Sequence, residues 1–230
     1  MGDEEPQVKV EYLDIAEGAD PEETNWIRRA GKARVTYVNG CVFEGTFDAE
    51  KVKQGKGTYI WMGPGTEEDE TPVEKARYEG DYKDGLRTGV GKFVYPNGDV
   101  YEGEFSENKM QGEGSYTYKA SGDIYSGGWA DGKKNGQGVY EFSKDSSMMT
   151  GAWEAGALVT GSWIYKAAGQ YDGSFKVGRP FGAGKFSFAS GLEQSGTFAE
   201  KAKGEDEEEP AEGEVVAPNV EWKGTSIVSF

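Results

Sequence analysis

Tyr101-Glu-Gly-Glu-Phe105-Ser-Glu-Asn-Lys-Met-Gln-Gly-Glu-Gly114-Ser-Tyr-Thr-Tyr118 is the stretch that decides the fold. In its first five residues two rings and a glycine share one parity. An extended strand therefore sets these three on one face and both glutamates on the other. Ser106-Glu-Asn-Lys109 then supplies an asparagine where a tight hairpin needs positive φ. From Gly112 to Tyr118 the glycines and rings again keep one parity. The unit is a β-hairpin with one wet face and one aromatic face.

The same pattern recurs on both sides. Aromatic-x-Gly-x-aromatic is repeated at Phe43, Gly45, Phe47; Tyr78, Gly80, Tyr82; Tyr101, Gly103, Phe105; Tyr125, Gly127, Trp129; and Tyr171, Gly173, Phe175. Weaker copies stand at Met149, Gly151, Trp153 and at Gln194, Gly196, Phe198. Gly-x-aromatic-x-aromatic follows all but the last, six times from Gly57, Tyr59, Trp61 to Gly184, Phe186, Phe188. Successive copies start 35, 23, 24, 24, 22 and 23 residues apart, a period that marks a repeat array. Of 30 aromatic residues, 25 occupy repeat positions, so the rings form a ladder. Strand glycines admit neighbouring rings that any side chain would block.

The expected fold is all-β: an elongated single-layer antiparallel meander of about seven hairpins, with flexible acidic termini. Residues 1–25 read as an acidic N-terminal segment and 26–198 as the array. The array carries an acidic insertion at 62–76 that lengthens one loop between repeats. A worn copy at Gly31, Ala33, Val35 and Tyr37 precedes the first clear one, its missing first strand expected around Trp26. Residues 199–218 read as an acidic linker, and 219–230 as a segment with the apolar content to dock. Trp222, Ile227 and Phe230 are its candidate docking residues.

The charge is uneven. Residues 1–24, 66–75 and 204–214 together hold 21 of the 41 acids and two of the 25 bases, so the net charge of −16 resides there. Such a balance disfavours nucleic acid and anionic membranes as direct partners. The single cysteine, Cys41, excludes an intrachain disulfide and suits a reducing compartment. No apolar run is long enough to cross a bilayer, and the acidic N-terminus lacks the layout of a signal peptide. The expectation is a cytoplasmic, cytoskeletal protein.

Absence of histidine removes the Ser-His-Asp and Cys-His arrangements and every His-based metal site. Each Gly-x-Gly step enters a strand and lacks the helix N-terminus of a phosphate loop. The acid clusters lack the spaced oxygens and central glycine of a calcium loop. No catalytic, metal or cofactor residue is expected. A lone sheet with rings on one face nonetheless lacks a second layer, and a neighbouring subunit, a second copy or the chain's own termini are the candidates to cover it.

These repeats resemble the MORN family, whose units read Tyr-Glu-Gly-x-Trp, a turn and Gly-x-Gly, over roughly residues 31–198. Within it the closest resemblance is to the members of the ciliary radial spoke head, through Phe181-Gly-x-Gly-Lys-Phe186, Gly191-x-Glu-Gln-x-Gly196, the acidic run and Val220-Glu-Trp-Lys-x-Thr225. The resemblance implies a non-catalytic scaffold in the axoneme of motile cilia or flagella. Its partners would be other spoke-head proteins, with transient contact to central-pair projections. A membrane-junction or lipid-regulating adaptor is the alternative that other MORN proteins suggest.

Overall fold

A computed structural model describes residues 8–15, 29–65, 69–201 and 217–229. Strands are the only regular element among them. The chain divides into two compact units, Met1–Ala120 and Ser121–Phe230.

The first unit is an antiparallel meander of β1 (Lys9–Tyr12), β2 (Gly31–Thr36), β3 (Val42–Phe47), β4 (Lys53–Gly63), β5 (Val73–Lys83), β6 (Leu86–Val94), β7 (Val100–Ser106) and β8 (Lys109–Thr117). Its register aligns Ala33, Gly45, Gly57, Gly80, Gly91, Gly103 and Gly114 into one file across the strands. The second unit contains β9 (Ile124–Ala130), β10 (Lys133–Glu141), β11 (Met148–Glu154), β12 (Ala157–Tyr165), β13 (Gly169–Lys176), β14 (Arg179–Phe188), β15 (Leu192–Glu200), β16 (Val220–Gly224) and β17 (Val228–Ser229). There the file runs from Gly127 through Gly138, Gly151, Gly161, Gly173, Gly184 and Gly196 to Gly224.

Turn chemistry closes the hairpins. Asp84 and Gly85 (φ 50° and 80°) and Asp131 and Gly132 (50° and 78°) both take left-handed backbone, as a type I′ turn requires. Between repeats, Gly98 N–H donates to Tyr95 O and Tyr95 N–H to Asp99 O, closing the Pro96-Asn-Gly98 turn. Successive hairpins are also tied at their tips, because Gly85 N–H donates to Lys53 O, Asn108 N–H to Arg87 O and Gly156 N–H to Lys134 O.

Both glycines of Gly-x-Gly have a job. Gly89 sits at φ 57°, where the register jumps from Gly80↔Gly91 to Asp81↔Thr88 and two residues bulge out. Val159 stands at that point in the fifth copy, and the bulge shrinks to one residue, with Ala152↔Thr160 followed by Trp153↔Leu158. A β-branched residue pays steric strain in left-handed φ, which Val177 takes (50°) in a turn, so valine disfavours the wider bulge that Gly89 allows.

Three regions depart from the expected layout. Trp26 lies outside the described residues, and β1 takes the place beside β2, with Lys9↔Thr36 through Tyr12↔Ala33 in register. Tyr12 Oη donates to Arg29 O at 2.9 Å, and the Arg29 guanidinium lies 5.2 Å from the Tyr12 ring centroid. The insertion is a strand arm rather than a plain loop. β4 and β5 run on to pair Met62↔Glu74 and Gly63↔Val73, and Arg77 bridges Glu74 (2.7 Å) and Glu79 (3.1 Å). At the other end the C-terminal segment joins the sheet edge instead of its face. β16 is the second strand of a seventh hairpin, reached from β15 by a 19-residue connection, where the β3–β4 hairpin uses five residues and the other five hairpins use two.

Candidate functional site: the aromatic face

In each regular repeat the first ring lies over the cross-strand glycine pair. A methyl carbon on Gly80 or Gly91 would fall under 3.0 Å from the Tyr78 ring or hydroxyl, and Gly103 and Gly114 stand in the same relation to Tyr101. Tyr78 is then boxed by Tyr82 and Phe105 edge-on, at 5.3 and 5.1 Å, and by Phe93 at 6.3 Å. Such pairs add roughly 0.5–1.5 kcal/mol beyond buried area. Its hydroxyl donates to Asp81 O at 3.1 Å; Tyr101 and Tyr125 repeat the bond to Glu104 O and Gly128 O. Burial pushes the Tyr78 hydroxyl up to about 12.

The first-strand positions singled out from sequence therefore belong to the interior. Phe43, Phe47, Tyr78, Tyr82, Tyr101, Phe105, Tyr125, Trp129, Trp153, Tyr171 and Phe175 are all buried. Gly45, Gly80, Gly103, Gly127, Gly151 and Gly173 lie in the glycine files. Accessible aromatic surface comes instead from the second strands. In the first unit Tyr37, Tyr59, Trp61, Phe93, Tyr95, Tyr116 and Tyr118 follow one another at centroid distances of 6.0, 4.4, 5.2, 4.4, 5.7 and 4.7 Å. All but Phe93 are half-buried. Tyr140, Phe142, Trp163 and Tyr165 make the corresponding rail in the second unit.

Two features of this face were not read from the sequence. One is a clamp between repeats: Asp99 accepts from Tyr116 Oη, Lys119 N–H and Asn97 Nδ2, each at 2.8 Å. Asp123 accepts likewise from Tyr140 Oη and Ser143 N–H. Burial alone would raise these carboxyls, but the hydrogen bonds prevail and hold both below the usual carboxylate range. A signal was present, because a tyrosine at the third ring position goes with a polar residue two before the first ring (Asp99, Asp123, Cys41), whereas phenylalanine goes with Ala76 or Gly169.

The other is a slot facing the second ring of each hairpin, holding Lys53, Arg87, Met110, Lys134, Leu158 and Pro180 in turn. Its cations sit among rings. Lys53 Nζ is 4.7, 5.2 and 5.5 Å from the Tyr59, Phe43 and Tyr37 centroids, Arg87 is 4.9 Å from Phe93, and Lys134 Nζ is 4.5 Å from Tyr140. Burial lowers all three, Lys134 to about 8.

At the C-terminal end Gln194 stands where the first ring should be, and Trp222 fills the gap from the neighbouring strand. Its indole lies over Gly196, packs on Phe198 (4.9 Å) and Phe186 (5.0 Å), and donates to Gln194 Oε1 at 3.0 Å. Ile227 stays 55% exposed. Phe230 lies outside the described residues. Among the described residues no group of three or more His, Cys, Asp or Glu could hold a metal ion. Depressions on the polar side are open and follow the glycine file between Lys56, Glu79, Lys92 and Glu102.

A family model described as "MORN repeat" matches residues 43–62, 78–100, 101–122, 125–147 and 171–193. MORN repeat-containing protein 3 of Xenopus laevis is 36% identical over 112 residues, covering 44% of this chain and 42% of that protein. The chain thus matches less than half the length of that curated relative. A solved SAS-4 (dCPAP) TCP domain in complex with a proline-rich motif of Ana2 (dSTIL), from Drosophila melanogaster, is 11% identical with a TM-score of 0.23, over 92% of this chain and 97% of that one.

Proposed function

We propose that this chain, which carries MORN repeats, is a non-catalytic scaffold subunit of the radial spoke head in the axoneme of motile cilia or flagella. MORN repeats imply a protein-interaction or scaffold role. What carries the reading is the aromatic rail: a run of rings in contact, all but Phe93 half-buried, on a face that no second layer covers within the first unit. Apolar surface of that kind is stabilised by a protein partner.

The spoke-head assignment draws on the tail, where Val220-Glu-Trp-Lys-Gly-Thr225 follows an acidic run as in the spoke-head members it resembles. Thr225 Oγ1 donates to Ser195 O at 2.9 Å, so residues of that motif join Trp222 in closing the seventh hairpin. The tail's sequence thus has a structural task in this chain. Affinity purification of the tagged chain from ciliated cells is the test. Co-purification of spoke-head subunits and axonemal localisation are the expected result. Recovery of lipid enzymes alone, with sedimentation on anionic vesicles, would favour the membrane adaptor.

A further inference from the structure

We propose that the aromatic face of the first unit docks an acidic segment of a partner polypeptide, whose carboxylates meet Lys53 and Arg87. The proposal rests on the scaffold reading and adds the chemistry of the partner.

Three cations on the polar side of this unit are matched: Arg34 with Glu44 at 2.8 Å, Lys56 with Asp81 at 2.8 Å, Lys92 with Glu102 at 2.6 Å. Lys53 and Arg87 are different. Both are half-buried on the aromatic side, and neither meets a carboxylate among the described residues. Rings surround the Lys53 ammonium, and Arg87 directs its side-chain hydrogen bonds to Asn108 Oδ1 and Asn108 O. Asp99, on the same face, is already committed to Tyr116, Asn97 and Lys119. Two partly desolvated positive charges without counter-ions among the described residues, beside half-buried rings, are complementary to an apolar segment bearing acids.

The spacing sets the ligand pattern. Lys53 and Arg87 occupy the same slot in successive hairpins, two strands or roughly 10 Å apart. Residues seven apart on a helix rise about 10.5 Å, so a helix with acids at i and i+7 brings one to each cation while its apolar residues reach Tyr59, Trp61 and Tyr95. A short peptide meets this local patch alone. An extended anionic surface would also meet the field of a chain whose net charge is −16, which favours the peptide over a membrane.

The test is a fluorescence-anisotropy titration of the full chain with a labelled 18-residue amphipathic helical peptide carrying Glu at i and i+7, against the same peptide with Gln. The Glu peptide is expected to bind at least tenfold more tightly in low salt, with the advantage shrinking in high salt. Lys53→Gln with Arg87→Gln should reduce it to the level of the Gln peptide, while Lys56→Gln on the polar side should not. Lys53→Met, which borrows the residue found at Met110, repeats the measurement should the Gln variant fold poorly. Equal binding of both peptides would sink the acidic preference yet leave a protein scaffold standing. Binding of neither, or Lys53- and Arg87-dependent binding to vesicles with anionic lipid in place of peptide, overturns the proposal. So does peptide binding seen only after deletion of residues 204–214, which would make the chain's own acids the occupant, or an effect of the variants on self-association alone.

Discussion

At the scale of single residues, the glycines of the cross-strand file and the glycines at the bulges have different physical tasks, and alanine separates them. A Cβ on Gly103 would collide with Gly114 Cα, Glu113 O and the Tyr101 hydroxyl, two of them backbone atoms that cannot step aside. A methyl group at Gly182, where φ is 72°, would meet nothing within 4 Å, so this position resists substitution only through its backbone angle. Gly103→Ala is therefore expected to cost about 2–3 kcal/mol and Gly182→Ala about 1 kcal/mol in chemical denaturation. Equal losses would show that close packing is not what the first of them serves. The tyrosines offer a second contrast. Tyr101 Oη bonds Glu104 O at 2.9 Å, whereas the buried Tyr171 hydroxyl has no partner among the described residues. Tyr101→Phe should lose about 1 kcal/mol and Tyr171→Phe should be neutral or stabilising, since removing an unsatisfied hydroxyl relieves a desolvation cost. Thermal melts of the two variants decide it.

At the scale of elements, the hairpins were legible because two local signals coincide: ring and glycine parity on the strands, and Asn or Gly at the turns. What stayed hidden depends on register across a bulge. Lys53, Arg87 and Lys134 lie four residues before the second glycine, beyond a two-residue bulge, so linear spacing does not mark them as facing a ring. Leu158 lies only three before, and the one-residue bulge there restores its orientation. The tail's apolar content is plain in the sequence, yet its place is not deducible from it, because Trp222 answers a vacancy created 28 residues earlier by Gln194. Trp222→Ala is expected to cost about 2 kcal/mol, less than a fully buried tryptophan, and to act locally. Hydrogen exchange should speed up across Leu192–Glu200 and Val220–Gly224 while Tyr125–Glu141 keeps its protection. A uniform loss over the second unit would contradict that assignment.

At the scale of the molecule, the buried charges give stability an unusual dependence on pH. Burial brings the Lys134 ammonium down to about 8 from an ordinary 10.5, although the surrounding rings favour its charged form. Between those values the unfolded chain holds a proton that the folded chain has released, so stability rises with pH across the window. Tyrosines pushed upward by burial, Tyr59 and Tyr78 to about 12, act in the opposite sense above pH 10. In acid, Asp99 and Asp123 contribute stability that is present above the ordinary carboxylate value and lost as pH falls below it. Melting temperature should thus climb between pH 8 and 9.5 in the native protein and stay flatter in Lys134→Met, a residue the same slot already accepts at Met110. Parallel profiles for the two proteins would remove Lys134 from the account.

Sequential pairing also fixes how either unit responds to a mechanical load. Each strand is bonded to its neighbours in the chain, so tension applied at the ends of a unit opens one ribbon before it reaches the next. The force needed is that of a single hairpin, and each release of a regular repeat frees about 23 residues, about 80 Å of extended chain. Under traction the sheet would lengthen stepwise, like a coil let out turn by turn, instead of failing in one break.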